Sequence, residues 1–242
     1  MPSLSQYFVV VPAAGIGKRM QTDCPKQYLR IAGKTVIEHT LTNLLEHNQV
    51  KGVVVVLNPN DTLFAQLTIA THPRIEVIAG GQERCDSVLA GLNHLSDDEI
   101  WVLVHDAARP CLAATDLTAL VQLAAQGSTG GILAAPVRDT MKRAISSKMN
   151  EPDIIKKTES RENLWHALTP QFFKLALLKK ALNAAKEKNV NITDEASAIE
   201  FLGEEVILVA GSSSNIKITQ PEDLSLAEFY LIQKQTNYLK EI

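Results

Sequence analysis

Apolar residues fall in short unbroken runs, separated by stretches in which they recur every three or four positions. The runs at 7–11, 52–57, 75–79, 100–104, 131–137 and 206–210 read as strands. Within 52–57, four consecutive valines (Val53 to Val56) leave no polar face. Such a strand is expected where helices cover both sides of a parallel sheet. The stretches 36–48, 84–95, 115–126, 171–187, 194–202 and 221–235 read as helices. In the first of them, Val36/Ile37, Thr40/Leu41 and Leu44/Leu45 repeat every four residues and form one apolar stripe. Thr35 and Glu38 stand in the spacing of a capping box that would start this helix.

Strands alternating with helices predict an α/β fold: a Rossmann-like, doubly wound, mostly parallel sheet with helices on both faces. One region interrupts the alternation. Residues 137–161 are polar and carry seven Lys/Arg and four Asp/Glu, with turn-forming residues at 146–152 between two β-prone flanks. An insertion of this length is either disordered or functional. No repeat or interdomain linker is visible, so 1–242 reads as a single domain with 137–161 protruding from it.

Composition narrows the picture only modestly. The 45% hydrophobic content over 242 residues is ordinary for a globular protein with a full core. A net charge of -3 gives no sign of nucleic-acid binding, so any basic cluster is a local device. Cys24, Cys85 and Cys111 are odd in number and widely spaced, which predicts free thiols and a cytoplasmic setting. No run approaches a membrane span and no signal peptide is visible, so no membrane partner is expected.

Candidate chemistry concentrates where the first strand ends. Phe8 to Val11 empties into Pro12, Ala13, Ala14, Gly15, Ile16, Gly17, Lys18, Arg19 and Met20, with Pro25, Lys26 and Gln27 following. Glycines allow close backbone approach, and three cations in one segment suit a polyphosphate. The spacing is not that of a P-loop, because Gly17-Lys18 follows Gly15 by two residues and precedes Arg19. Nor is it the dinucleotide fingerprint, whose third glycine position holds Met20.

This loop resembles the nucleotidyltransferase signature G-x-G-x-R-M…P-K-Q. Further blocks narrow the resemblance: Gly80 to Arg84 with Ser87, Val104 to Pro110, Pro136 to Thr140, Thr169 to Gln171, Thr193 to Glu195, and Asn215 to Thr219. Taken in this order, over about residues 7–232, they resemble the 2-C-methyl-D-erythritol 4-phosphate cytidylyltransferase family of the non-mevalonate isoprenoid pathway. The resemblance implies CMP transfer from CTP to 2-C-methyl-D-erythritol 4-phosphate, with Mg2+ or another divalent cation and release of pyrophosphate. It also implies a homodimer in which the arm at 137–161 completes the partner's site.

In such a reaction the nucleophile is already an anion, so positioning and electrostatics carry catalysis. The resemblance implies that Lys26, Arg19 and Lys217 are the catalytic cations, with Lys18 in a weaker part. Nucleotide binding falls to Pro12, Ala13, Ala14, Gly15, Gly17, Lys26, Gly81, Gln82, Ser87, Asp106 and Ala107. The acceptor falls to Asp106, Arg109, Thr140, Arg161, Thr169, Thr193 and Lys217. Asp106, at the carboxyl end of a buried strand, is the expected metal ligand. Where some relatives have an acid before Asn215, this chain has Ser214.

Several of these residues also have plain structural readings. Ser87 and Thr193 could cap helices, His105 could be a packed core residue, and Lys217 could face water from a strand. A ribitol 5-phosphate cytidylyltransferase shares most of the blocks, and a nucleotide-sensing or arm-mediated interaction protein is the non-enzymatic alternative. Retention of Arg19, Lys26 and Lys217 favours an enzyme.

Overall fold

The computed structural model describes residues 6–15, 24–97, 100–145 and 152–240. Its strands are β1 (Tyr7–Pro12), β2 (Arg30–Ile31), β3 (Lys34–Thr35), β4 (Val50–Leu57), β5 (Ile75–Ala79), β6 (Trp101–Val104), β7 (Gly130–Pro136), β8 (Met141–Ile145), β9 (Ile154–Glu159), β10 (Trp165–Lys174) and β11 (Ile207–Ala210). The helices are α1 (Val36–Leu45), α2 (Arg84–His94), α3 (Ala114–Val121), α4 (Leu175–Glu187), α5 (Glu195–Phe201) and α6 (Glu222–Lys240). Seven strands form the main sheet in the order β11-β7-β10-β6-β1-β4-β5. All neighbours pair parallel except β10, which runs antiparallel between β7 and β6.

The unbroken apolar runs divide their side chains between two cores. Val9 and Val11 join Val53, Val55, Ile37, Leu41 and Leu117 on one face. Val10 joins Val54, Val56, Val88, Leu92 and Leu178 on the other. Period-two alternation thus fills both sides of a sheet sandwiched between helices, and no position on β1 is left for a polar residue. Gly91 is where α2 comes closest: a Cβ there would lie 2.5 Å from Val10 Cγ1.

Two sequence expectations need correction. Residues 171–174 read as helix by spacing, yet they end β10, and α4 begins at Leu175. Phe172 and Phe173 are both fully buried but enter opposite cores, which only an extended backbone permits. The helix expected over 115–126 is α-helical only to Val121; Gln122–Gln126 continues as a 3-10 turn ended by Gly127 at φ 72. At α1, by contrast, Thr35 Oγ1 accepts from the Glu38 amide at 3.3 Å while Glu38 Oε2 accepts from the Thr35 amide at 2.8 Å. That is the expected capping box.

β8 and β9 form a separate antiparallel hairpin, with Met141 opposite Glu159 and Ile145 opposite Ile154. Its strands are almost wholly exposed. The turn residues 146–151 lie outside the described residues. Among the described residues, no helix is long and apolar enough to cross a membrane.

Candidate active site

The first strand delivers its loop to a cleft at the carboxyl end of the sheet, where open α/β folds bind ligands. The loop is held from two sides. The Ala13 amide donates to Val56 O at 2.8 Å, prolonging the ladder one step beyond β1. Gln27, itself buried, donates from Nε2 to Ala13 O at 2.9 Å and to Gly15 O at 3.2 Å. Lys26 sits in the same 3-10 turn as Gln27 and donates from Nζ to Ile218 O at 2.8 Å. The expected loop residues Gly17 and Arg19, with Lys18, lie outside the described residues.

A second loop follows β5. Ser87 Oγ accepts from the Gly81 amide at 3.2 Å and donates to Glu83 O at 3.2 Å. Ser87 therefore shapes the Gly81 loop from inside the first turn of α2, whose N-cap is Glu83. A Cβ on Gly80 would lie 2.7 Å from Ser87 Oγ and 2.9 Å from Ala14 Cβ; one on Gly81 would lie 2.3 Å from Asp86 Cβ. Glycine is needed where the two loops meet.

Asp106 lies at the centre. Its Oδ2 is 2.9 Å from Lys217 Nζ and 3.4 Å from Arg109 Nε, and its Oδ1 is 3.3 Å from Arg84 Nε. Burial alone would raise the pKa of this carboxyl, but Arg84, Lys217 and Arg109 together hold it well below the usual carboxylate range. Lys217 reaches it from the segment Asn215–Thr219, which is pinned by the Ile218 amide donating to Ala108 O at 2.9 Å. Asp223 Oδ2 accepts from the Thr219 and Gln220 amides at 2.7 and 2.8 Å and fixes the far end of that segment.

Behind Asp106 runs a chain of buried hydrogen bonds. The Asp106 amide donates to Thr169 Oγ1 at 3.0 Å, and Thr169 Oγ1 lies 3.0 Å from His105 Nδ1. His105 Nε2 is 3.2 Å from Arg109 O, a group that can only accept. Nε2 therefore carries a proton, and in the neutral ring Nδ1 is left to accept from the threonine hydroxyl. Burial lowers the His105 pKa to about 4, in keeping with that tautomer. His105 is thus the packed residue of the plain reading. Arg109 Nη1 donates to Asn215 O at 2.7 Å, and Asn215 Nδ2 donates to Thr169 O at 2.8 Å.

The cleft, about 240 Å³, gathers most of the expected nucleotide residues: Pro12 to Gly15, Lys26, Gly81, Gln82, Ser87, Asp106 and Ala107. Of the expected acceptor residues, Asp106 and Lys217 line it. Arg109 and Thr169 are buried behind it, while Thr140, Arg161 and Thr193 are exposed away from it. Arg161 donates to Arg138 O at the base of the hairpin. Thr193 is not the cap of α5; Asp194 is, with Oδ1 accepting from the Ser197 amide at 3.0 Å.

Three side chains that shape the site were missed by residue-level reading. Gln27 clamps the first loop. Arg84 and Glu195 form a two-pronged ion pair beside Asp106, at 2.7 and 3.0 Å. All three fall inside the motif blocks, which was the available signal; their partners are brought near only by the fold.

Comparison with known proteins agrees with this geometry. The family model for 2-C-methyl-D-erythritol 4-phosphate cytidylyltransferase matches residues 7–233. An enzyme of that name from Photorhabdus laumondii is 57% identical over 241 residues, covering 96% of this chain and 97% of its own. One from Pseudoalteromonas atlantica is 58% identical over 236 residues, covering 98% and 100%. The crystal structure of the enzyme of that name from Francisella tularensis superposes with a TM-score of 0.79 at 36% identity, covering 93% of this chain and all of its own. That from Thermus thermophilus gives 0.72 at 33%, covering 91% and 96%. The loops, the carboxylate and the lysines thus sit on a scaffold shared along nearly the whole chain, which belongs to the 2-C-methyl-D-erythritol 4-phosphate cytidylyltransferase family.

Proposed function

We propose that this protein transfers CMP from CTP to 2-C-methyl-D-erythritol 4-phosphate. An oxygen of the acceptor phosphate forms a bond to the α-phosphorus, the bond from that phosphorus to the β-bridging oxygen breaks, and pyrophosphate leaves. Lys26 and Lys217 stabilise the charge that develops on the five-coordinate phosphorus, and Arg19 is assigned to the β- and γ-phosphates. A donor aimed at such developing charge contributes roughly 3–4 kcal/mol to the transition state. Backbone groups of Ala13, Ala14 and Gly81, with Gln82 and Ser87, form the narrow slot for the cytosine edge.

The observation that carries this reading is the convergence of two lysines far apart in sequence. Lys26 Nζ bonds Ile218 O and Lys217 Nζ bonds Asp106, and both side chains line one cleft. Each ammonium is paired with a protein oxygen whose place a triphosphate oxygen can take.

Among the described residues, no three His, Cys, Asp or Glu side chains gather into a metal-binding cluster. Asp106 is also already ringed by three cations. Of these residues, the Asp106 carboxylate is the one that would hold a Mg2+ arriving on the triphosphate, and it would have to give up a contact with one of those cations to do so. Bound there, the ion would neutralise charge on the phosphate oxygens.

The reading extends to a homodimer of single-domain chains. The hairpin exposes Met141, Ile145 and Ile154 along one face and Ile155 on the other, apolar surface suited to a second copy. Thr140 and Arg161 at its base stand outside their own chain's cleft, which suits acceptor binding in the partner's. Cys24, Cys85 and Cys111 stand as thiols outside any disulfide, which is consistent with a cytoplasmic setting.

The test is pyrophosphate release measured for each nucleoside triphosphate against methylerythritol phosphate and ribitol 5-phosphate. Turnover is expected only with CTP and the branched acceptor. Equal rates with ATP or GTP would reject the pyrimidine slot, and preference for ribitol 5-phosphate would reassign the acceptor.

A further inference from the structure

The buried ion pair between Arg84 and Glu195 stands beside the reacting groups without being one of them. Glu195 opens α5, immediately after the Thr193–Asp194 turn, and its side chain is 1% exposed. Arg84 opens α2, immediately after the Gly80–Glu83 loop that lines the cleft. Both terminal nitrogens of the guanidinium go to Glu195, at 2.7 and 3.0 Å, which leaves Nε for Asp106 Oδ1 at 3.3 Å. A planar fork held at two points cannot rotate, so the direction of its third donor is set by Glu195.

The charges point the same way. Arg84, Arg109 and Lys217 surround Asp106, and three cations against one carboxylate would leave two charges uncompensated. Glu195 reduces that excess to one. Its own backing is complete: Gln171 Oε1 accepts from the Ala196 amide at 2.7 Å and Gln171 Nε2 donates to Asp194 at 2.9 Å, anchoring the start of α5 to β10.

We infer that Glu195 and Arg84 are a positioning pair that holds the Asp106 carboxylate in place while Lys217 moves from it to the nucleotide phosphate. When the ammonium leaves Oδ2, Asp106 loses its shortest contact. Arg84 on Oδ1, locked by Glu195, keeps the carboxylate from following. The pair also joins the nucleotide loop to the start of α5, so two elements beside Asp106 are referred to one rigid point. This rests on the transferase reading above.

Turnover of Glu195→Gln, Glu195→Asp and Arg84→Lys is measured per CTP-binding site, with sites counted by calorimetric titration. Misplacing a reacting group by about 1 Å can cost up to about 100-fold in rate. Glu195→Gln and Arg84→Lys should therefore lower kcat about 10- to 100-fold while KM for CTP stays within about threefold, and Glu195→Asp should recover part of the loss. Native kcat per site in Glu195→Gln, or a loss fully explained by fewer binding sites, would overturn the inference. A native chain with no transferase activity would instead defeat the parent reading. The pair is then judged by solvent exchange of the Arg84 Nε proton in NMR. Slow exchange in the native chain that becomes fast in Glu195→Gln supports positioning; equal exchange in both overturns it.

Discussion

Lys217 Nζ lies 2.9 Å from Oδ2 of Asp106, joining the segment Asn215–Thr219 to the loop after β6 in the cleft. The two ends of this contact are not equivalent. Lys217 is partly exposed, and Arg84 and Arg109 still face Asp106 when it is removed. Lys217→Ala should therefore lower kcat by about 100-fold with little change in thermal stability. Asp106→Asn leaves the buried Arg109 guanidinium without its carboxylate, and should destabilise the fold by about 3–5 kcal/mol as well as impair transfer. Paired melting curves and pyrophosphate assays check both; equal stability losses in the two variants would contradict the asymmetry.

Lys26 has its strongest partner only when charge accumulates on the phosphorus. Lys26→Ala should reduce turnover by about 100-fold or more while CTP affinity falls by much less. Affinity from calorimetry and turnover from pyrophosphate release separate the two effects. A large loss of affinity with normal kcat would make Lys26 a ground-state binder.

Gln27 makes no proposed contact with substrate, yet it closes the first loop. Gln27→Ala removes two hydrogen bonds and leaves the carbonyl of Ala13 in a buried setting without its donor. The cost should be about 1–3 kcal/mol in unfolding free energy, with a raised KM for CTP because the loop backbone is no longer preset. Denaturant titration would show it, and an unchanged midpoint would mean the loop is held by other contacts.

His105 makes stability depend on pH. Its folded pKa is depressed to about 4 by burial, against an ordinary value of 6.5. Below pH 6.5 the unfolded chain takes up a proton that the folded chain refuses. This contribution is thus complete above pH 6.5 and is lost as pH falls towards 4, by about 3 kcal/mol in total. His39 and His47 are lowered in the same direction, chiefly by burial. His105→Gln should flatten the slope of unfolding free energy between pH 6.5 and 4 without abolishing it. An identical slope in the variant would show that His105 does not titrate there. Asp106 adds its own loss only at still lower pH, as its depressed pKa is approached.

Deleting residues 144–158 removes most of the exposed hairpin and leaves Thr140 and Arg161 in the chain. Under the dimer reading, this variant should become monomeric and lose affinity for methylerythritol phosphate while still binding CTP. Light scattering and acceptor titration test the two together. A monomer with native acceptor affinity would separate the hairpin from the site.

By itself the sequence determined the layered fold and the chemistry on offer. Continuous valine runs can be satisfied only between two helical layers, and a glycine-bearing loop with nearby cations suits a polyphosphate whatever surrounds it. The capping box of α1 was likewise legible, because both its partners lie within four residues. Tertiary structure decided what depended on distant partners. Phe172 and Phe173 belong to a strand because β6 and β7 flank them, although their spacing also suits a helix. Gln27 looks like any loop amide until the carbonyls of Ala13 and Gly15 turn towards it. Arg84 and Glu195 are 111 positions apart and become a pair only beside Asp106. Hydrogen bonds and ion pairs act over a few ångströms, so a linear pattern can name the groups but not their partners.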